Sequence, residues 1–261
     1  MEISFVTASY VAEAIGYPGR GLDLHKAKQA TMDATKPAIV DRMLARLAPA
    51  QLDGIELWEM HALPLARNED ALTETKAILA RHRVVGMAYA GGLGTAAEDP
   101  SGAEEVFKAA QALDLPIIVS WISRDSAPIV AELAQQYDIQ VGHENHPERD
   151  VVALKETIAG YEEWIGVALD TGHLALQGGD PVRAVYDLGQ RLIHLHFKDI
   201  PPDGDGLNCC ALGRGIVDVR GVIHALKEVG YDRVLSIEIE AINHDPTEQI
   251  IESARLLREL L

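Results

Sequence analysis

Residues 165–197 read IGVALDTGHLALQGGDPVRAVYDLGQRLIHLHF, and they contain one complete strand–helix–strand unit. Residues 165–169 and 192–197 are short apolar runs, typical of strands that are buried in a sheet. Between them, Asp180 stands directly before Pro181, and a capping carboxylate followed by proline favours a helix start over residues 181–188. The order of these three segments predicts two parallel strands joined by a crossover helix.

The same unit recurs along the whole chain, where eight strand-like runs alternate with eight longer amphipathic stretches. The predicted strands lie at residues 2–8, 54–58, 84–89, 116–120, 139–143, 165–169, 192–197 and 234–238. Eight such units in 261 residues predict a closed (β/α)8 barrel, a single TIM-barrel domain over residues 1–261. A doubly wound open sheet is the alternative, but residues 7–10 read TASY where that fold usually has a GxGxxG turn.

The composition restricts the classes of partner. The chain carries 40 aspartate and glutamate residues against 23 lysine and arginine residues, a formal net charge of −17. Such a surface repels the phosphates of nucleic acids and of anionic membranes, so neither is an expected partner. The sequence has no apolar run of transmembrane length, and its two cysteines, Cys209 and Cys210, are adjacent, which excludes a disulfide framework. We therefore expect a cytoplasmic protein that acts on a small molecule.

Ionisable side chains end four consecutive predicted strands, the fifth to the eighth, and these side chains are Glu144, Asp170, His196 and Glu238. Chemistry in a (β/α)8 barrel belongs at the C-terminal ends of the strands. Taken singly, each residue has an ordinary explanation as a solvated rim residue, a helix cap or a hydrogen-bonded core histidine. Four adjacent strands that end in the same chemical class indicate a shared site instead. Glu240 lies beyond the eighth strand and is interpreted as a rim residue.

The two-residue period of a strand predicts where these side chains point. In the seventh strand, Ile193, Leu195 and Phe197 are expected to face the outer helices. His194 and His196 are then expected to face the barrel interior. His194 lies one step deeper than His196, which favours a packing or supporting role for it.

Three carboxylates that meet at one point repel one another, so a cation is needed to hold them together. Three carboxylates and one imidazole suit Mn²⁺, Mg²⁺, Co²⁺ or Zn²⁺, and the sequence does not distinguish among these ions. We therefore expect one divalent metal ion bound by Glu144, Asp170, His196 and Glu238. Such an ion stabilises an enediolate, while Glu144 and Glu238 remove and return a proton on carbon.

Five segments resemble the xylose isomerase-like TIM-barrel superfamily, in its sugar phosphate isomerase and epimerase branch. They are residues 141–147 (VGHENHP), 167–174 (VALDTGHL), 193–199 (IHLHFKD), 212–217 (LGRGIV) and 235–240 (LSIEIE). Their order and spacing match across the C-terminal half of the chain. The N-terminal half agrees in overall pattern only, with residues 54–58 (GIELW) as its best segment.

The resemblance implies a role for each matching residue. In the ketose 3-epimerases of this group, the glutamates that match Glu144 and Glu238 bind the metal and shuttle the proton. The residues that match Asp170 and His196 complete the metal site, and the histidine that matches His173 contacts a substrate oxygen. The expected activity is isomerisation or epimerisation of a ketose or a related hydroxy-carbonyl compound. Barrels of this group often pair, so a homo-oligomer fits the resemblance.

The sequence departs from those epimerases after the seventh strand, where they carry an arginine. Residues 198–202 read KDIPP, so Lys198 is a candidate substrate-binding residue, and Arg214 in the following loop is a candidate to replace the arginine. The HFKD form of residues 196–199 is shared with inosose dehydratase-like lyases, which makes a metal-dependent dehydratase the alternative activity. Trp58 and Trp121 follow the second and fourth strands and are candidate walls of a sugar pocket, although rim packing explains them equally well.

Two further alternatives stay open. An endonuclease IV-like nuclease would share the same carboxylates and histidines, but it needs three zinc ions, further histidines after the early strands and a basic surface. A non-catalytic sugar-binding subunit on a barrel scaffold is compatible with the fold, since fold alone does not determine activity. The complete set of metal ligands in the sequence opposes this second alternative.

Overall fold

Over the residues that the computed structural model describes, which are 1–146, 148, 150–204 and 208–261, eight parallel strands form one sheet. The strands are β1 (Glu2–Phe5), β2 (Gly54–Trp58), β3 (Val85–Ala90), β4 (Ile117–Ser120), β5 (Gln140–Glu144), β6 (Ile165–Asp170), β7 (Leu192–Phe197) and β8 (Val234–Ile237). Their order is β1-β8-β7-β6-β5-β4-β3-β2. A parallel bridge between Val6 and Glu56 and a 2.8 Å hydrogen bond from Asp53 N–H to Ile3 O join the two edges. The predicted (β/α)8 barrel is therefore confirmed, and the open sheet is excluded.

The helices lie around this barrel. In the described part of the chain they are α1 (Leu24–Ala34), α2 (Pro37–Leu47), α3 (Glu59–Ala66), α4 (Glu69–His82), α5 (Pro100–Ala112), α6 (Ala127–Tyr137), α7 (Val151–Thr157), α8 (Thr171–Leu176), α9 (Pro181–Leu188), α10 (Val219–Glu228) and α11 (Thr247–Leu260). None of these helices is long and apolar enough to cross a bilayer.

Helix α9 begins where the Asp180-Pro181 pair predicts. The Asp180 carboxylate accepts hydrogen bonds from Val182 N–H (2.9 Å) and Arg183 N–H (3.1 Å), which satisfies two of the free donors at the helix start. The periodicity of the sequence does not reveal α1, α3 and α8. Helix α1 buries only Ala27 and Thr31, and α8 is six residues long, so neither presents the broad apolar stripe that marks an amphipathic helix.

Apolar side chains fill the barrel on both faces of the sheet. The outer layer lies between strands and helices, and the inner layer consists of Ala88, Ile117, Val119, Ala168 and Ile193. The predicted outward position of Ile193 is wrong. The ladder between β6 and β7 shifts register, so that Val167 pairs with Leu192 and Ala168 with His194, and this bulge turns Ile193 into the inner layer. Leu195 and Phe197 face outward as predicted.

A buried carboxylate organises the loop that follows β7. Asp199 is fully buried, and its Oδ2 accepts hydrogen bonds from Gly213 N–H and Gly215 N–H, both at 2.9 Å. Its Oδ1 accepts hydrogen bonds from Ile200 N–H and Val217 N–H, both at 3.0 Å. A Cβ at Gly215 would collide with the Ile200 carbonyl and the Asp199 carboxylate, so this close approach requires glycine.

Replacing Asp199 by alanine will leave four backbone donors without this acceptor, two of them buried and two partly buried. We expect Asp199→Ala to lower the free energy of unfolding by at least about 3 kcal/mol, measured by urea denaturation. Asp218→Ala is the matched control, because the Asp218 carboxylate accepts one hydrogen bond from Gly221 N–H at an exposed helix start. The control will cost about 1 kcal/mol. Equal losses in the two variants would contradict the organising role of Asp199.

Candidate functional site

The carboxyl ends of β5 to β8 bring four of the sequence-predicted residues together. One ligand atom from each of Glu144, Asp170, His196 and Glu238 lies within 4.8 Å of the others, and all four side chains are buried. His196 Nδ1 is 2.6 Å from Glu144 Oε1 and 3.3 Å from Glu238 Oε2. Parallel strands place their carboxyl ends at one rim of the barrel, so inward-facing residues at those ends necessarily meet.

Asp170 is held rigidly at this rim. Its Oδ1 accepts a 2.8 Å hydrogen bond from His173 N–H, which caps α8. The Asn145 side chain, which the sequence analysis did not single out, accepts a hydrogen bond from Asp170 N–H (2.8 Å) and donates one to Asp170 O (3.0 Å). The other oxygen, Asp170 Oδ2, is buried and forms no hydrogen bond, and it lies 3.5 Å from His173 Nδ1.

Lys198 supplies a buried positive charge to the same cluster. Its Nζ lies 3.0 Å from Asp170 Oδ2, 3.0 Å from Glu238 Oε2 and 3.1 Å from Glu240 Oε2. Burial would lower the pKa of Lys198, but these carboxylates outweigh burial and raise it well above its usual value. Burial would likewise raise the pKa values of Asp170 and Glu238, and Lys198 holds both below their usual range. The structure thus commits the Lys198 ammonium to three carboxylates.

The cluster fits a divalent cation. Asp170 Oδ2 and Glu238 Oε2 are buried and form no hydrogen bond, although the Lys198 ammonium lies close to both. Three carboxylates and one imidazole form a donor set that suits Mn²⁺, Mg²⁺, Co²⁺ or Zn²⁺. Burial would lower the pKa of His196, but Glu56, Glu144 and Glu238 outweigh burial and raise it well above its usual value. Even with this imidazolium, the Lys198 ammonium does not balance the three carboxylates of the cluster, so a net negative charge is left at the position that a cation would occupy.

A cavity of about 400 Å³ opens above this cluster. Four sequence-predicted residues line it besides the cluster itself, namely Trp58, Trp121, His173 and Lys198. Trp121 is fixed by a 3.1 Å hydrogen bond from its Nε1 to Glu148 Oε1. The His173 ring packs edge-to-face against His146, with 4.5 Å between the ring centroids. The tryptophans therefore provide flat apolar walls, and the histidines provide polar ones.

Two charged residues on the opposite wall were missed by the sequence analysis. Lys28 on α1 and Glu59 on α3 line the cavity, and Lys28 Nζ lies 3.9 Å from Glu59 Oε1 and 5.9 Å from the centroid of the Trp58 ring. Burial raises the pKa of Glu59, and Lys28 opposes that shift. Both residues lie on helices that the periodicity of the sequence did not predict, so no signal marked them beforehand.

Arg214 is not among the residues that line this cavity, so the structure does not bring it together with the other predicted site residues. Its side chain is 70% exposed and pairs with Glu252, with 2.8 Å from Nε to Oε1. The cause is the Asp199 carboxylate, which gathers the N–H groups of Gly213 and Gly215 on either side and leaves the Arg214 side chain outside the turn.

A second buried cluster lies beneath the first. Glu56 in β2 is fully buried, and its two oxygens each accept a hydrogen bond of 2.8 Å, one from His194 Nε2 and one from His196 Nε2. His194 was predicted to lie one step deeper than His196, and its contact with Glu56 lies at that depth, beneath the first cluster. The sequence analysis overlooked Glu56, although its alternation with Ile55 and Leu57 was a usable signal for an inward-facing side chain.

Comparison with known proteins places this geometry in a family. The family model described as "Xylose isomerase-like TIM barrel" matches residues 44–260. The chain belongs to the xylose isomerase-like TIM-barrel family. The resemblance noted in the sequence is therefore confirmed at the level of the superfamily.

Curated relatives in this family match over part of their length. An uncharacterised protein of Methanocaldococcus jannaschii is 31% identical over 142 residues, which cover 51% of this chain and 46% of that protein. An inosose dehydratase of Lacticaseibacillus casei is 31% identical over 91 residues, which cover 29% of this chain and 30% of that enzyme. The matched regions thus span less than half the length of these relatives.

Solved structures share the fold over nearly the entire chain. The probable 3-DHS dehydratase AsbF of Bacillus anthracis has a TM-score of 0.73 at 17% identity, with 99% of both chains covered. The IOLI protein, solved with a zinc atom, has a TM-score of 0.73 at 17% identity and covers 100% of this chain and 98% of its own. An L-ribulose 3-epimerase has a TM-score of 0.73 at 16% identity, with coverages of 100% and 94%. Both epimerases and dehydratases are thus built on this barrel.

Removing the buried ammonium will destabilise the metal-free protein in a pH-dependent way. We expect Lys198→Met to lower the free energy of unfolding by about 3 kcal/mol at pH 7, because Asp170 and Glu238 lose their counter-charge. The lowered pKa values of these carboxyls in the wild type mean that their stabilisation exists above the unfolded-state pKa and disappears as the pH falls. The difference between variant and wild type will therefore shrink below about pH 4.

Urea denaturation at pH 7 and at pH 4, with a chelator present, measures this difference. Lys108→Met is the control, since Lys108 forms exposed ion pairs with Glu104 and Glu105. It will change the stability by less than about 1 kcal/mol. A Lys198→Met penalty that is unchanged between the two pH values would contradict the electrostatic explanation.

Proposed function

We propose that the protein is a divalent-metal-dependent isomerase or epimerase that acts on a ketose or a related hydroxy-carbonyl polyol through an enediolate. The observation that carries this proposal is the meeting of Glu144 and Glu238 at His196 Nδ1, beside Asp170, on the floor of the cavity. Membership of the family supports the proposal, because the fold neighbours include an L-ribulose 3-epimerase.

In this proposal, Glu144, Asp170, His196 and Glu238 hold the metal ion. When it is bound, the ion supplies a Lewis acid that stabilises negative charge on oxygen. Asp170 is well suited to a purely ligating role, because backbone and Asn145 contacts hold it in place. Lys198 offsets part of the carboxylate charge and keeps Asp170 and Glu238 ionised.

The two glutamates carry the proton. One carboxylate removes the proton from the carbon next to the substrate carbonyl, and the electron pair of that C–H bond forms the enediolate. The other glutamate enters this step as the carboxylic acid and delivers its proton either to the opposite face of the same carbon, which inverts it, or to the neighbouring carbon, which moves the carbonyl. Proton exchange with solvent then restores the starting protonation states of the two glutamates. Glu144 and Glu238 are assigned these roles because they come from opposite ends of the β5–β8 arc and both reach the same imidazole nitrogen.

The cavity favours an uncharged, hydroxyl-rich substrate. Among the described lining residues, the two lysines are both next to carboxylates, Lys28 beside Glu59 and Lys198 beside Asp170, Glu238 and Glu240. Lys198 is held by three carboxylates and Lys28 Nζ lies 3.9 Å from Glu59, so the lining offers little net positive charge to a phosphate. Aromatic walls and hydrogen-bonding side chains are the features that bind the apolar faces and hydroxyls of a small polyol.

A metal-dependent dehydratase is the second candidate, and a specific observation favours it. The inosose dehydratase of Lacticaseibacillus casei is 31% identical over the region it shares with this chain. The same first step serves both reactions, because an enediolate that carries a hydroxyl on the next carbon can expel it. The proton that accompanies the departing hydroxide would then come from the carboxylic acid formed in the first step.

Metal analysis of the purified protein tests the site itself. We expect about one Mn²⁺ or Co²⁺ per chain after loading and gel filtration, and Glu238→Gln will weaken binding at least about tenfold. Glu252→Gln is the control, because Glu252 pairs with Arg214 on the outer surface. Absence of metal from the loaded wild type would overturn the proposed function, and three ions per chain would favour the nuclease.

Exchange of substrate hydrogen with solvent tests the chemistry. A panel of ketopentoses, ketohexoses and inososes in D₂O, followed by NMR, will show deuterium on the carbon next to the carbonyl of the true substrate. Glu144→Gln and Glu238→Gln will each slow this exchange at least about 100-fold. Arg214→Ala will leave it within about twofold of the wild type, since Arg214 is exposed and distant from the cavity lining.

The products of the same panel separate the candidate activities. An epimer or an isomer as product supports the isomerase or epimerase. Loss of water to give a conjugated enone or its diketone tautomer supports the dehydratase. A metal-loaded protein that exchanges no hydrogen on any member of the panel would favour a sugar-binding subunit. Undiminished exchange in both glutamate variants would contradict their roles as acid and base.

A further inference from the structure

Glu56 lies outside the cavity and yet contacts the histidine at the centre of the cluster. It is fully buried, and it is absent from the residues that line the cavity in the described part of the chain. Substrate therefore has no contact with it. Its carboxylate forms hydrogen bonds with two imidazole nitrogens, His194 Nε2 and His196 Nε2, each 2.8 Å from a different carboxylate oxygen.

The chemistry of this contact determines where the ring protons are. Each oxygen of the Glu56 carboxylate lies 2.8 Å from one imidazole Nε2, a distance at which one of the two atoms must donate a hydrogen. An ionised carboxylate can only accept hydrogen bonds. Both Nε2 atoms must therefore carry hydrogen and donate it to Glu56.

This arrangement turns the other nitrogen of His196, Nδ1, toward the cluster, where it hydrogen-bonds to Glu144 Oε1. A cation that binds there takes the place of the hydrogen on Nδ1. With Nε2 protonated, a neutral imidazole has its lone pair on Nδ1, which is the atom that lies 2.6 Å from Glu144 Oε1 and 3.3 Å from Glu238 Oε2. The alternative tautomer would place a hydrogen on Nδ1 and block that position. The contact also fixes the angle of the ring about its side-chain bonds.

His194 in turn holds Glu56 in place. It occupies the second carboxylate oxygen, and its ring stands nearly perpendicular to that of His196, with 5.5 Å between centroids and an interplanar angle of 83°. With both oxygens engaged, the carboxylate plane cannot rotate without breaking a buried hydrogen bond.

Glu56, His194 and His196 are also close enough to form a second metal site by distance alone. Hydrogen bonding explains them better. The two nitrogens bond to two different oxygens at ordinary hydrogen-bond lengths, and Glu56 and His194 are essentially inaccessible to solvent. A cation at that position would also need the nitrogens to give up the hydrogens that they donate to Glu56.

We propose that Glu56 is a positioning residue that selects the Nε2–H tautomer of His196 and aims its Nδ1 at the metal. The proposal rests on the proposed metal site, and it assigns to β2 a function in a site whose ligands all come from β5 to β8. Carboxylate partners of ligating histidines raise their basicity and orient their rings, and their loss typically weakens metal binding about 10–100-fold.

The first test is a titration with Co²⁺ against a competing chelator, read by visible absorption. Glu56→Gln will weaken Co²⁺ binding about 10–100-fold, because an amide cannot accept from both rings. Glu56→Asp retains the charge and will recover part of that loss. Asp41→Asn is the matched control, since Asp41 also bonds a histidine, His82 at 2.6 Å, on the outside of the barrel. It will leave the affinity within about twofold of the wild type.

The second test reads the tautomer directly and does not depend on any variant. In ¹⁵N-labelled, Zn²⁺-loaded wild type, the imidazole spectrum of His196 will show a metal-bound Nδ1 and a protonated Nε2 that exchanges slowly with water. In Glu56→Gln, this exchange will accelerate, whereas a purely structural defect would broaden many resonances.

The outcomes of these tests distinguish the two proposals. A wild type that binds no metal overturns the proposed function. A wild type that binds one ion while Glu56→Gln binds it equally well overturns the positioning role alone. An unprotonated Nε2 in the Zn²⁺-loaded wild type overturns it as well, even if Glu56→Gln fails to fold. Two ions per chain, with the second lost in Glu56→Gln, would show that the lower cluster is itself a metal site.

Discussion

The balance of charge along a barrel axis that excludes water is the constraint on which the structure depends. Glu56, Glu144, Asp170 and Glu238 are all buried there, and an isolated buried carboxylate is too costly to be tolerated. Each of the four is therefore accompanied by a donor or a cation. The inward side chains at β2, β5, β6, β7 and β8 form one network for this reason, and changing any member affects the protonation or position of the others.

The network divides into two layers with different purposes. The lower layer, Glu56 with two histidines, is closed and fully hydrogen bonded, so it can only hold its members in place. The upper layer faces the cavity and retains oxygens without hydrogen bonds beside Lys198. His196 belongs to both layers, with one ring nitrogen in each. A preorganised site requires this arrangement, in which a rigid lower layer supports an upper layer whose oxygens still lack hydrogen bonds.

The adjacent residues Lys198 and Asp199 follow β7 and have different roles, one in the candidate site and one in the loop. Lys198 points toward the axis and neutralises carboxylates, whereas Asp199 points away from it and gathers the backbone of residues 213–217. Loop residues that would otherwise be free to approach the substrate are held at the surface. The cavity walls come from α1, α3, α8 and the residues after β1, β3, β4 and β5.

The sequence by itself determined the barrel and the four residues at its rim. The alternation of strand and helix and the recurrence of ionisable residues at strand ends are both local patterns, and parallel strands place such ends together whatever the details of packing. The two-residue alternation predicts the wrong side for Ile193, because a one-residue bulge in the β6–β7 ladder turns its side chain into the barrel. Local patterns also missed helix α1, which buries only Ala27 and Thr31, and helix α3, which is short and apolar on most sides and so lacks an amphipathic period.

Only the tertiary structure decided which partners these residues have. Glu56 and His196 are 140 positions apart, and no spacing predicts their hydrogen bond. The commitment of Lys198 to three carboxylates and the outward position of Arg214 depend equally on distances between strands and loops that are remote in sequence. A side chain's direction follows from its own strand, but its protonation, its counter-charge and its freedom to contact a substrate depend on what the other strands bring to it.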